Sequence, residues 1–215
     1  MLAALVGEYK GVLRFFKAYG RFWLVFTAIV IVFSAACGAL MWSYFSENSA
    51  AVTEAINSVS EVFEGKSDII TNETGSISAI GLLKNNVMAM FLIVMLGIMP
   101  LFFASAFSLM INIFLICITV TAGIAMGSFD AFGAFLLIAP HGIFELPALL
   151  ISAGLGILLC DFVTSKLTHW KELPISGDHL ALELSRTFIL VIFPLLVAAS
   201  VVEAYITPAV FSLWL

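Results

Sequence analysis

Charge is what this sequence has least of: Asp, Glu, Lys and Arg together make up 11% of its 215 residues, against about a quarter in an ordinary soluble domain. With 62% of residues hydrophobic, the chain cannot have water as its main solvent. Basic charge is scarcer still, nine Lys and Arg against fourteen Asp and Glu. The nine are dispersed, which excludes a nucleic-acid surface. Cysteine is nearly absent. Cys37, Cys117 and Cys160 sit singly inside apolar segments with no CxxC pair, so neither a disulfide framework nor a cysteine zinc site is readable, and they serve as small packing residues. No HExxH string occurs, and no motif implies a cofactor.

What is there is apolar sequence in runs of about twenty residues, the length that crosses ~30 Å of hydrocarbon at 1.5 Å per residue. The expected architecture is all-α, a polytopic membrane bundle of about five transmembrane helices whose first partner is the lipid bilayer. Residues 1–21 place Leu2, Leu5, Val6, Tyr9, Val12, Leu13, Phe16 and Tyr19 at three- and four-residue spacing, opposite Lys10, Arg14, Lys17 and Arg21. That pattern predicts a basic amphipathic helix on a membrane surface, or one docked on the protein's own loops.

The first span covers 22–45. Its Ser34-Ala35-Ala36-Cys37 string resembles a processing site, yet the apolar run continues beyond it. Residues 46–85 form the one sizeable polar loop. Val52, Ala55, Ile56, Val59, Val62 and Phe63 repeat there at helical spacing and Gly65 ends the run, predicting a loop helix that covers the bundle or meets an envelope partner. Asn72-Glu73-Thr74 fits a glycosylation acceptor, a pattern too short to weigh. Two spans follow at 86–105 and 107–127, joined by an uncharged turn at Pro100–Ser108. Then come an apolar stretch 130–164, a polar segment 165–186 and a last span 187–207.

With the N-terminus cytoplasmic, Lys10, Arg14, Lys17, Arg21, Lys166, Lys171 and Arg186 fall inside, and only Lys66 and Lys84 outside. The positive-inside rule therefore places loop 46–85 and the C-terminus outside the cytoplasm.

An ionisable side chain in a span costs roughly 2.5–3.5 kcal/mol on insertion scales, so each needs a partner or a task. His141 and Glu145 are four apart in Pro140-His141-Gly142-Ile143-Phe144-Glu145-Leu146-Pro147-Ala148, hence on one helix face. Residues 130–166 would extend roughly 54 Å as one helix, nearly twice the hydrocarbon thickness. A break at Pro140 and Gly142 is expected, with Pro147 as a further interruption, giving an outer half-helix 130–139 and a span 142–164. His141, Glu145, Glu203, Asn85 and Asn86 would then share one depth near the outer face. Such a cluster can be a structural polar network, a proton or cation relay, or a metal site with His141, Glu145 and Glu203 as three protein ligands. Gly123-Ile124-Ala125-Met126-Gly127 and the four-residue spacing of Ala148, Ser152 and Gly156 fit close helix packing, within the chain or in a homodimer.

The Pro140–Ala148 string, preceded by Asn85-Asn86 and followed by a terminal helix bearing Glu203, resembles the stage II sporulation protein M family over residues 80–208. The resemblance implies an integral membrane component without established catalytic residues. In sporulating bacteria such proteins help recruit cell-wall hydrolases that thin septal peptidoglycan, and many relatives occur in organisms that never sporulate. The functions to weigh are therefore a non-enzymatic scaffold or recruiting subunit of an envelope complex, a small transporter with a His/Glu site, and an intramembrane metal-dependent hydrolase.

Overall fold

The computed structural model describes residues 2–64, 78–99, 104–169 and 176–213. Gly65, Lys66, the Asn72–Thr74 acceptor, the turn at Pro100 and Lys171 lie outside the described residues. Every described element is helical: α1 (Leu2–Ala18), α2 (Gly20–Glu47), α3 (Ser49–Glu64), α4 (Ala79–Met95, prolonged by a 3-10 turn Leu96–Ile98), α5 (Ala104–Ala125), α6 (Ala131–Thr168) and α7 (Gly177–Ser212). Among the described residues, five of these, α2 and α4 to α7, are long and apolar enough to cross a membrane. The chain is an all-α multi-pass membrane bundle.

Polar residues set the helix ends. Ser78 Oγ accepts from Gly81 N at 3.2 Å, Asp130 Oδ1 from Gly133 N at 2.7 Å, and Ser176 Oγ from His179 N at 3.4 Å, so each caps a helix start with an oxygen. At the end of α5, Gly127 has φ +72°. Ser128 N bonds Gly123 O and Gly127 N bonds Ile124 O, both at 3.0 Å. This is a Schellman C-cap. Gly127 thus stops a helix, while Gly123 leaves room for the tip of the Phe129 ring. The pair expected to bring two helices together serves two separate local purposes.

The central stave is α6, which packs against α4, α5 and α7. Of its most apolar stretch 44% is buried, against 11% for α2, so α2 is peripheral and rests chiefly on α5. Ala148 and Ser152 are 0% exposed. A Cβ on Gly156 would collide with Ser105 and the Ile93 carbonyl, and one on Gly97 with the Gly156 backbone. The small-residue stripe is consumed inside the chain, where backbones touch, and is not free for a homodimer. Outward, Leu24 (73% exposed), Ile80 (80%) and Ile189 (63%) form surfaces that suit hydrocarbon rather than water.

The helix predicted in loop 46–85 is α3. Val52, 3% exposed, packs with Phe45, Ala122, Met41 and Ile118, so α3 lies on α5 and the end of α2. The expected break near Pro140 is not present: α6 runs unbroken through Pro140, Gly142 and Pro147. Each proline removes one amide donor and crowds the preceding turn, but the burial of Gly142, Ala148, Leu149 and Ser152 against neighbouring helices holds the chain helical, as spanning helices commonly tolerate proline. No separate half-helix 130–139 exists, and the span assigned to 142–164 is the later part of a 38-residue helix.

Candidate functional site

Helices α6 and α7 pack as an antiparallel pair, and this packing brings distant polar residues together. His141 lies ten residues from the start of α6, roughly 15 Å along it, and Glu203 nine residues from the end of α7, roughly 14 Å. The two ends lie side by side. One ligand atom each from His141, Glu145 and Glu203 falls within 4.8 Å of the others, and all three side chains are half-buried. The three ionisable members of the expected cluster therefore meet with α6 continuous through Pro140.

Two local features aim these groups. His141 Nδ1 lies 3.3 Å from Thr207 Oγ1, a hydroxyl on a residue only 5% exposed. Glu203 sits in a π-helical turn, Val202–Ile206, whose closing bond runs from Thr207 N to Val202 O. Such a turn holds one residue more than an α-turn and rotates whatever precedes it, a device frequent at functional sites. Thr207 and the π-turn are invisible to motif reading. Pro208, directly beyond, is the available signal, because it denies Ala204 O its usual donor.

Asn85 and Asn86 lie inside α4 rather than at its start. Asn85 Nδ2 donates to Asn86 Oδ1 at 3.2 Å, and Asn86 is 7% exposed. Their helix packs against the segment Val202–Ile206, but the pair hydrogen-bonds within itself. Pro140 is half-buried and Pro147 exposed on α6, and neither contributes a polar atom beyond its carbonyl.

A second polar site joins α1 to α7. Arg186 pairs with Glu8 and with Glu183 Oε1, the latter at 3.0 Å, and Glu183 is 4% exposed. Val12 and Phe15 are buried (3% and 5%) on this side, whereas Val6, Tyr9 and Leu13 are exposed. Thus α1 docks on the chain's own segment 177–187 through a face centred on Glu8, Gly11, Val12 and Phe15. Periodicity alone does not select that face. Between α2 and α5 an apolar concavity of about 810 Å³ has Phe22, Phe26, Ile29, Phe107 and Met110 in its wall and Arg21 at its edge. The cysteines pack as expected, with Cys37 buried and Cys117 Sγ 3.9 Å from Ser34 O.

Among known proteins, an uncharacterized protein of Methanocaldococcus jannaschii is 42% identical over 74 residues, a match covering 34% of this chain and 40% of that protein. The chain thus covers less than half the length of that relative. No solved structure matches. The family model described as stage II sporulation protein M matches residues 23–208, which reach from α2 into α7 and include the whole polar group. On that match, the chain belongs to the stage II sporulation protein M family.

Proposed function

We propose that this protein is a non-enzymatic scaffold or recruiting subunit of an envelope complex, with α1 on the cytoplasmic side and α3 outside. The observation that supports it is the seat of α3. Val52 anchors this helix to the bundle, while Glu54, Asn57, Ser58 and Glu61 remain exposed. A helix held by its apolar face already has its geometry fixed, so a partner meeting its acidic face loses little ordering entropy on binding. Family membership supplies the class of protein, and the envelope supplies the partners. The test is crosslinking in native membranes with Glu54→Lys/Glu61→Lys. Partner adducts should fall severalfold while the protein still elutes as one species in detergent; an unchanged partner set would defeat the proposal.

A second reading is favoured by the convergence of His141, Glu145 and Glu203: a small transporter or permease-like subunit with a proton or cation site. Ionisable groups at such depth mark pathways in many transporters. Proteoliposome flux equal in wild type and Glu145→Gln would remove it.

A further inference from the structure

We infer that His141, Glu145 and Glu203 hold a divalent transition-metal ion, of the zinc or manganese class, between α6 and α7. The first ground is geometric. His141 and Glu145 stand one helical turn apart on α6, and Glu203 faces them from α7, with one ligand atom from each inside a 4.8 Å span. Zinc bonds to nitrogen and oxygen of roughly 2.0–2.2 Å separate tetrahedral ligands by roughly 3.4 Å. Small side-chain rotations therefore close the set on an ion.

The second ground is charge. Among the described residues, Arg186 pairs with Glu8 and Glu183, and no arginine or lysine pairs with Glu145 or Glu203. Two carboxylates brought together in a half-buried site whose one basic neighbour among the described residues is the His141 imidazole call for a positive counterpart: a metal ion, a shared proton or that imidazole in its protonated form.

The third ground is the seat of the imidazole. Metal-bound histidines nearly always engage their other ring nitrogen, which fixes tautomer and orientation. Here Nδ1 is held at 3.3 Å by the buried Thr207 hydroxyl. With Nδ1–H donating to Oγ1, Nε2 presents its lone pair to the carboxylates. The π-turn that aims Glu203 also positions Thr207 at its closing bond, so one backbone feature sets a ligand and the group that orients another ligand.

The donor set defines the class of ion. One imidazole and two carboxylates suit zinc, manganese or ferrous iron; calcium and magnesium favour all-oxygen sites and cuprous copper favours sulfur. Three protein ligands leave a position for water, the pattern of reactive rather than purely structural zinc. Ion binding does not depend on the scaffold reading, since ion retention and partner crosslinking are separate measurements.

The test uses the full chain in detergent, purified through a peptide tag free of histidine, stripped with EDTA and dialysed against Zn(II) or Mn(II). Elemental analysis after desalting should find about one ion per chain. Glu145→Gln and Glu203→Gln should each weaken binding at least tenfold, and Thr207→Val, which removes no ligand, about 10–100-fold. Wild-type protein that retains neither ion overturns the inference and favours a proton as the counterpart. Equal stoichiometry in the Glu145→Gln/Glu203→Gln double variant overturns it as well. Should a variant misfold, Co(II) absorption of the wild type decides. Bands of nitrogen and oxygen ligation support the site, whereas a thiolate charge-transfer band assigns the ion to the cysteines and overturns it.

Discussion

Tyr9 Oη donates a hydrogen bond to the Leu190 carbonyl at 3.3 Å, and the residue four beyond that carbonyl is Pro194, which has no amide proton to offer. The contact brings a donor from α1 to the π-helical turn Phe188–Ile192 of α7. One turn earlier on α7, Arg186 pairs with Glu8 and Glu183. Two levels of polar contact, with Val12 and Phe15 packed beside them, make α1 a strap across the start of the last span.

Arg186→Ala should lower the melting temperature in detergent by several degrees, because it strands the Glu183 carboxylate at 4% exposure. Arg186→Ala/Glu183→Gln should recover part of the loss, since the buried charge is then gone. Single and double variants that melt together would show that the ion cluster is not coupled. Tyr9→Phe should cost little, about 0.5 kcal/mol, the low end for a hydrogen bond in an exposed setting.

The crossing of Gly97 and Gly156 admits no side chain. Gly97→Ala drives a methyl into the Gly156 backbone, and Gly156→Ala drives one into Ser105 and the Ile93 carbonyl. Each should destabilise by about 1–3 kcal/mol or more, the range for overpacking. A methyl group on Gly38 would meet nothing within 4 Å, so Gly38→Ala should stabilise α2 by about 0.5–1 kcal/mol. Thermal or denaturant unfolding of the three variants side by side checks the order; equal losses at all three positions would contradict the crossing.

The proposed orientation is open to labelling. In a background with Cys37, Cys117 and Cys160 replaced, Ser58→Cys on α3 and His179→Cys at the start of α7 are both at exposed positions. An impermeant maleimide added to intact cells should modify position 58 and reach position 179 only after lysis. The reverse pattern would invert the topology and move α1 outside the cytoplasm.

Much of the site is legible as depth along helices. Counting from Arg186 places Glu203 about 25 Å up the last span, and the i, i+4 spacing puts His141 and Glu145 on one face. Pro140 suggests a break as the cause of their meeting, and α6 is continuous through it. Proline removes a donor that packing against α4, α5 and α7 can outweigh, and α6 stays whole through Pro140 and Pro147. Asn85 and Asn86 hydrogen-bond to each other on α4, whose packing brings it against the turn that carries Glu203. The Gly123–Gly127 spacing suggests a helix contact, yet a positive φ at Gly127 and the Phe129 ring over Gly123 are local facts that spacing cannot report.

Five spans in a bilayer can be read from the amino-acid order alone, because run length and the scarcity of charge are one-dimensional properties that solvent reads directly. That order also marks α3 and the three ionisable residues that hydrocarbon would otherwise reject. Which groups face each other emerges from the packed bundle: Thr207 holds His141, Glu8 and Tyr9 reach α7, and Gly156 is covered inside the chain. Such pairings depend on the rotation and antiparallel register of packed helices, which are set by close contact over the whole bundle and are encoded in no single segment.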